Sequence, residues 1–237
     1  MQQRTFEEVR ESLRGKVILV ANRGIPARRI SRSIRERFEA IAAITATDID
    51  KTEPAAASAQ ELILLGADPR AYLDLPRIIR LARERGCVAI HPGWGFASED
   101  NNFPKLCAEA GITFIGPSST ILAQMGDKLT AKAIAHACGV PTIPGSDRPL
   151  KDGEEALAKA VEYGFPIILK AAGGGGGRGM RRCDTPEEVI PAFDLVKSEA
   201  KKAFGNEDIF IEKYLVEPKH IEVQILGDKH GNVVHLF

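Results

Sequence analysis

The sequence has no apolar run that approaches the roughly 18 residues of a membrane-spanning helix, and its opening stretch, MQQRTFEEVRESLRGK, lacks the apolar core of a secretory signal. We therefore predict a cytoplasmic protein that binds no membrane. Neither charge is in excess, because 32 Lys and Arg residues balance 32 Asp and Glu residues. Such a chain does not attract nucleic acid as a whole, so any phosphate must be bound by a local site.

Paired cysteines are also lacking. The four cysteines lie 20, 31 and 45 residues apart, so the sequence has neither the CxxC pairs of a metal site nor the density of a disulfide scaffold. No metal-ligand spacing joins the histidines at positions 136, 230 and 235 to cysteines or carboxylates. We interpret the cysteines as small apolar residues that pack in the interior: Cys87, Cys107, Cys138 and Cys183.

Residues 1–117 contain five short apolar runs. Near-continuous apolar runs are typical of strands covered on both faces, and therefore of a parallel sheet. The runs are residues 16–21, 41–45, 61–65, 87–91 and 112–116. A helix is predicted between the third and fourth runs, because apolar residues recur at helical spacing at Leu75, Ile78, Ile79 and Ala82, with Asp74 as N-cap and Gly86 as stop. A second helix is predicted between the fourth and fifth runs, at Phe103, Leu106, Cys107 and Ala110. This pattern predicts an open, doubly wound, Rossmann-like α/β domain.

The pattern changes after Pro117. A helical stretch over residues 125–138 leads to GVPTIPGSDRP, whose composition indicates a domain boundary. Beyond it we predict a small α+β domain with strands at 166–170 and 209–213 and a helix opened by Thr185 and Glu188 in capping-box spacing. Residues 220–237 indicate a hairpin whose last strand ends the chain, so we expect the chain to be part of something longer.

Five consecutive glycines follow a lysine in ILKAAGGGGGRGM, residues 168–180. Each glycine inside an element costs roughly 0.5–1 kcal/mol relative to alanine, so such a run suits a place where something approaches the backbone closely. Successive N–H groups can surround an anion, and Lys170 supplies a compact positive charge. The pattern predicts a phosphate site. Arg178 either adds a second cation to this site or faces solvent. The alternative is a flexible surface loop.

Two common nucleotide motifs are missing. No GxxxxGK[ST] string occurs, which excludes a P-loop. The first strand-to-helix turn, ANRGIPARR, contains the single glycine Gly24 where a dinucleotide site requires GxGxxG. The nucleotide is therefore expected in the second domain, and a Rossmann-type dehydrogenase is disfavoured.

Six motifs together resemble the biotin carboxylases of the ATP-grasp superfamily. They are ANRG at 21–24, HPGWGFASED at 91–100, MGDK at 125–128, KAAGGGGGRGM at 170–180, EKYL at 212–215 and HIEVQ at 220–224. The resemblance covers nearly the whole chain in the right order. It implies a Rossmann-like N-terminal domain over 1–117, a helical linker over 118–141, an ATP-grasp lid subdomain over 142–215 and the first strands of the C-terminal ATP-grasp subdomain over 216–237.

The same resemblance implies an ATP site. Lys128 and Lys170 would contact phosphates, and Gly176 and Gly177 would present backbone N–H groups. The segment from Glu212 to Leu215 would form the hinge beside the adenine. There the implied contacts come from the Glu212 side chain and from the backbone of Lys213 and Leu215, with Tyr214 in the same segment and His220 near the ribose.

The implied reaction joins bicarbonate and ATP into carboxyphosphate and passes CO₂ to biotin on a carrier domain. It would require Mg²⁺, a biotin carboxyl carrier domain and a carboxyltransferase, and a homo-oligomer is compatible with it. The family's metal-binding glutamates, catalytic glutamate and biotin-site arginine lie beyond Phe237, so we expect no catalytic or metal residue in this chain, and an inactive fragment. The alternative is a non-catalytic ATP-binding or assembly module.

The first domain departs from the family pattern at two places. Ile25 and Pro26 stand where ANRGEIA is usual, and Trp94, Ala97 and Asp100 stand where HPGYGFLSEN is usual. These changes indicate a divergent branch and do not identify the acyl acceptor. His91 is open to two interpretations, a ligand-site residue at a strand end or a turn former.

Arginines are concentrated in the first predicted helix. We interpret them as a solvated face rather than a nucleic-acid site, because Ile30, Ile34 and Phe38 provide the matching buried stripe and no base-reading element accompanies them. The arginines are Arg23, Arg28, Arg29, Arg32, Arg35 and Arg37.

Overall fold

The structure is a computed structural model that describes residues 4–172 and 179–236. The chain divides into two compact units, Met1–Ala131 and Lys132–Phe237, called unit 1 and unit 2 below. Gly176, Gly177 and Arg178, which the sequence assigns to the phosphate site, lie outside the described residues.

Unit 1 contains a five-stranded parallel sheet, as the apolar runs predict. Its strand order is β3-β2-β1-β4-β5, and every neighbouring pair is parallel. Because β1 is central, its side chains are buried on both faces: Leu19 joins one apolar cluster, and Ile18 and Val20 join the other. The strands are β1 Val17–Val20, β2 Ile41–Thr47, β3 Glu61–Gly66, β4 Cys87–His91 and β5 Thr113–Phe114.

The helices of unit 1 supply the covering layers. In α4 the Asp74 carboxylate accepts a hydrogen bond from the Arg77 N–H at 3.1 Å, and Gly86 adopts a φ of +64° just after the helix, so the predicted start and stop are confirmed. The helices are α1 Phe6–Leu13, α2 Gly24–Phe38, α3 Pro54–Ala57, α4 Leu75–Glu84, α5 Asn102–Glu109 and α6 Ser119–Gly126. The arginines of α2 are exposed opposite the buried Ile34, which confirms the solvated face.

The helical stretch predicted over residues 125–138 is interrupted. Helix α6 ends at Gly126, and α7 spans Lys128–Ala137. Asp127 stands between them with an extended backbone, and its carboxylate accepts a hydrogen bond from the Thr130 N–H at 2.8 Å. This bond caps the second helix. Hydrogen bonds from the Thr130 hydroxyl and from the Thr130 N–H lower the pKa of Asp127. The boundary between the two units falls within α7.

Unit 2 is an α+β unit, also as predicted. Its antiparallel sheet has the order β7-β6-β8, and one face packs on two helices through a shared apolar cluster. Phe193 and Val196 from one helix meet Ile167, Leu169 and Ile211 from the sheet in that cluster. The elements are α8 Gly153–Tyr163, β6 Ile167–Ala171, β7 Met180–Cys183, α9 Val189–Phe204 and β8 Ile209–Lys213.

The predicted capping box at Thr185 is wrong. Residues Pro186–Glu188 form a short 3-10 turn, α9 begins only at Val189, and the Thr185 side chain caps no helix. Because of this turn the Glu188 carboxylate accepts a hydrogen bond from the Asp184 N–H at 2.7 Å instead. A capping box does form elsewhere, between Thr5 and Glu8 at the start of α1.

One of the four cysteines is not an interior residue. Burial raises the pKa of the Cys87 and Cys183 thiols to about 11 and that of Cys107 to about 12. Cys138, by contrast, is exposed, because it follows the last residue of α7, where the chain leaves the helix. The packing interpretation is therefore wrong for Cys138.

Residues 224–236 form the predicted hairpin, with β9 Gln224–Gly227 antiparallel to β10 Val233–Leu236. Asp228 organises the turn, because its carboxylate accepts hydrogen bonds from the His230 N–H at 2.7 Å and the Asn232 N–H at 2.9 Å. These bonds, with one from the Asn232 side chain, lower the pKa of Asp228. Among the described residues, no helix is both long and apolar enough to cross a bilayer.

Candidate functional site

The Gly- and Pro-rich segment at 144–146 runs alongside β8 and extends the sheet of unit 2. The Lys213 N–H donates to the Pro144 carbonyl at 2.8 Å, and the Ser146 N–H donates to the Ile211 carbonyl at 2.9 Å. The Ile211 N–H in turn donates to Ser146 Oγ at 3.1 Å. These bonds hold Gly145 directly opposite Glu212.

Lys170 and Glu212 meet on the sheet face that points away from α8 and α9. In β6 and β8 alternate residues point to opposite faces, so Ile167, Leu169 and Ile211 are buried against the helices while Lys170 and Glu212 are only partly buried. Glu212 lies two residues from Phe210, the direct partner of Lys170, which makes the two side chains diagonal neighbours. Lys170 Nζ donates a hydrogen bond to Glu212 Oε2.

The next two hinge residues anchor the end of β8. Lys213 Nζ donates to the carbonyls of Gly164 and Phe165 at 2.9 and 2.8 Å, so this ammonium is engaged by the turn after α8. The Tyr214 N–H donates to the Pro166 carbonyl at 3.0 Å, and the Arg182 guanidinium lies 4.6 Å from the centre of the Tyr214 ring. The N–H of Lys213 is bound to Pro144 and its side chain to Gly164 and Phe165, so the group that Lys213 can offer a ligand is its backbone carbonyl.

The remaining hinge and ribose residues are more exposed. Leu215 has 47% of its surface exposed, and its N–H makes no hydrogen bond within the described chain. His220 is largely exposed and lies beside Glu222, with 3.1 Å between Nε2 and Oε1. Its contact is with Glu222, so the structure does not join His220 to the Lys170 and Glu212 pair.

Lys128 belongs to unit 1 and is the first residue of α7, directly after the capping Asp127. A cation is disfavoured by the helix dipole in the first turn of a helix. Helix stability therefore does not explain a lysine at this position.

The strand ends of unit 1 are joined through Asn22. Its Nδ2 donates to the carbonyls of Pro92 and Trp94 at 2.8 and 2.9 Å, and the Gly93 N–H donates to His91 Nδ1 at 3.0 Å. Burial lowers the pKa of His91, which suits a neutral ring that accepts this bond. These contacts favour the turn-forming interpretation of His91.

A charge network around the buried Asp50 in unit 1 was not predicted from the sequence. Arg23 Nη1 lies 2.9 Å from Asp50 Oδ1, and Tyr72 Oη and Thr47 Oγ1 donate to Oδ2 of the same carboxylate. Burial by itself would raise the pKa of Asp50, but these three donors outweigh it and lower the pKa. The partners lie far apart in sequence, apart from Thr47, so no local spacing could have revealed them.

No group of three or more Cys, His, Asp or Glu side chains is placed to hold a metal ion within residues 4–172 and 179–236. Among the described residues, the polar groups of unit 2 that remain for a ligand include those of Lys170 and Glu212 and the N–H of Leu215.

A Rossmann-like unit followed by an α+β unit with this lysine and glutamate is the arrangement of an ATP-grasp type of nucleotide-binding protein. The chain matches "Biotin carboxylase, N-terminal domain" over residues 14–122 and "Carbamoyl-phosphate synthase L chain, ATP binding domain" over residues 127–237. The chain belongs to the biotin carboxylase family of the ATP-grasp superfamily, as the sequence motifs predict.

Similar proteins and solved structures support the same family assignment. The chain is 48% identical over 222 residues to the 2-oxoglutarate carboxylase small subunit of Hydrogenobacter thermophilus, covering 93% of this chain and 47% of that protein. The biotin carboxylase domain of that enzyme, solved with MgADP, ADP and bicarbonate, matches with a TM-score of 0.82 at 47% identity, covering 93% of this chain and 49% of that one.

A biotin carboxylase from Campylobacter jejuni, solved as a β,γ-ATP complex, gives a TM-score of 0.85 at 43% identity and covers 95% of this chain and 51% of that one. The chain thus spans about half the length of these relatives. The predicted fold class is confirmed by these matches and by the two units described above.

Proposed function

We propose that this chain is part of the biotin carboxylase component of a biotin-dependent carboxylase. That ATP-dependent ligase would use bicarbonate and ATP to form carboxyphosphate and would carboxylate biotin on a carrier domain. The observation that carries the proposal is the Lys170 and Glu212 pair, which lies on the partly exposed face of the unit 2 sheet just before the glycine run. The relatives that bind MgADP, ADP and bicarbonate support it.

The residues around this pair fit a nucleotide. A partly exposed ion pair contributes at most about 1 kcal/mol, so Lys170 can exchange Glu212 for a phosphate oxygen at little cost. The Leu215 N–H has no partner in the described chain and suits an acceptor on the adenine edge, beside the backbone of Lys213. Tyr214, held under Arg182, would keep the hinge in place.

Four further contacts rest on the family resemblance. We propose that Lys128 binds phosphate, which would also account for a cation at the start of α7. Gly176 and Gly177 would donate backbone N–H groups to the phosphates, and His220 would lie near the ribose. The proposed domains remain 1–117, 118–141, 142–215 and 216–237.

Cofactors and partners belong to the same proposal. Mg²⁺ neutralises charge on transferring phosphates when it is bound, and we assign its ligands and the catalytic residues to parts of the carboxylase outside this chain. The expected partners are a biotin carboxyl carrier domain, a carboxyltransferase and a second copy of the carboxylase. We place the protein in the cytoplasm.

Isothermal titration of MgADP tests the nucleotide site. We expect weak binding by this chain and at least a tenfold loss of affinity in Lys170→Met, because a charge-assisted contact to phosphate is removed. Lys159→Met is the matched control, since that ammonium pairs with Glu162 on the exposed surface of α8. Micromolar affinity that survives Lys170→Met would contradict the proposal.

A further inference from the structure

Lys132 carries a buried ammonium group. It lies on α7, and its Nζ is removed from solvent with no hydrogen-bond partner in the part of the chain that the structure describes. A buried ammonium without an acceptor is costly, so an unsatisfied group of this kind in a folded protein requires an explanation. The question is therefore which acceptor lies within reach.

The Glu212 side chain lies close to this ammonium group. A side-chain carbon placed on Gly145 would lie 3.1 Å from Lys132 Nζ and 2.8 Å from Glu212 Cγ. The two atoms are therefore separated by no more than the sum of these distances, which one rotation of either long side chain can close. Because residue 145 is glycine, no atom occupies the point between them.

We infer that Lys132 is a second counter-ion for Glu212, which takes over the carboxylate when Lys170 moves to a nucleotide phosphate. This inference rests on the proposed function for the movement of Lys170. In the present structure Lys170 pairs with Glu212, while the Lys132 ammonium lies near the same side chain and has no hydrogen-bond partner among the described residues.

The exchange would keep a positive partner beside the Glu212 carboxylate. Glu212 has 26% of its side chain exposed, so its carboxylate loses part of its hydration in the folded chain. If Lys170 leaves for a phosphate, that carboxylate needs another positive partner to stay ionised and oriented. Lys132 provides one and lets Glu212 keep its proposed place beside the adenine edge.

A cycle of variants without nucleotide tests the pairing directly. We expect Lys132→Met to leave the thermal midpoint unchanged or to raise it in the original chain, where Lys170 holds Glu212, and to lower it by about 3 °C or more in the Lys170→Met background. Lys132→Arg in that background should keep the midpoint, because it retains the charge. Equal effects of Lys132→Met in both backgrounds would overturn the inference, and Lys159→Met is the control.

Titration with MgADP tests the exchange. We expect Lys132→Met to weaken binding about fivefold, and to have no further effect once Glu212→Gln has removed the carboxylate. The same fivefold loss in both backgrounds would mean that Lys132 contacts the nucleotide itself, which overturns the inference. Absence of binding by the original chain would count against the proposed function and against the exchange, while the cycle without nucleotide would still decide the pairing.

Discussion

At the residue scale, Gly145 allows the segment at 144–146 to pack closely against β8, because glycine has no side chain. A side-chain carbon at this position would lie 2.6 Å from the Ile211 carbonyl oxygen, closer than such contacts allow. The clash is with backbone, which cannot move without breaking the bonds of Ser146 and Lys213 to the same pair of segments. Glycine is therefore required here for space and not for an unusual φ.

We predict that Gly145→Ala destabilises unit 2 by about 1–3 kcal/mol, the usual cost of overpacking. Gly126→Ala is the control, because a side-chain carbon there would meet nothing within 4 Å. Urea unfolding followed through signals of unit 2 measures the difference. A Gly145→Ala chain as stable as the original would show that the segment at 144–146 is not held tightly against β8.

Asp50 makes the free energy of unfolding of unit 1 depend on pH in the acidic range. Its pKa is lower in the folded chain than in the unfolded chain, so the unfolded chain takes up the proton first as the pH falls. The stabilisation is present above the unfolded value of about 4 and is lost as the pH falls through the lower folded value.

We therefore predict that unfolding midpoints of unit 1 fall as the pH drops below about 4 and that Asp50→Asn removes part of this dependence. At neutral pH the same variant should cost about 1–3 kcal/mol, because the bonds from Arg23, Thr47 and Tyr72 lose their charged acceptor. Thermal unfolding at several pH values provides the measurement. An unchanged slope in Asp50→Asn would contradict the assignment.

At the scale of elements, the residues that precede α8 and α9 differ in whether their side chains form an N-terminal capping hydrogen bond. The Asp152 carboxylate accepts a hydrogen bond from the Glu155 N–H at 2.9 Å at the start of α8, whereas Thr185 makes no such bond before α9. We predict that Asp152→Ala costs about 1 kcal/mol and that Thr185→Ala changes stability by less than about 0.5 kcal/mol. Equal losses in denaturant unfolding would contradict this difference.

The elements that the sequence predicted well are those whose burial is periodic. The five parallel strands are near-continuous apolar runs, and α4 has a clear helical stripe with a capping Asp74. Strand β7 was not predicted, because three of its four residues, Met180 to Arg182, are exposed and two are arginines. Helix α8 was also missed, although Asp152 and the spacing of Ala156 and Ala160 could have indicated it.

The candidate site was predictable only in part. The lysine before the glycine run indicated a phosphate site from the sequence alone, and the family motif added Glu212. Lys132 could not be predicted, because its role depends on contacts with Gly145 and Glu212 that the fold creates across long stretches of chain. The Asp50 network was missed for the same reason.

At the scale of the whole molecule, the two units have different chemical surfaces. Unit 1 closes its strand ends with hydrogen bonds among Asn22, Pro92 and Trp94, and its buried charge is already paired. Unit 2 carries a lysine and a glutamate on a partly exposed sheet face, followed by an N–H without a partner in the described chain. These groups make unit 2 the proposed site of nucleotide binding.

Amide chemical-shift mapping with MgADP tests that placement most directly. We predict shifts in β6, in residues 212–215 and in the segment at 144–146, and their loss in Lys170→Met but not in Lys159→Met. Shifts centred on Asn22 and His91 at the sheet edge of unit 1, or shifts in unit 2 that persist in Lys170→Met, would contradict the account.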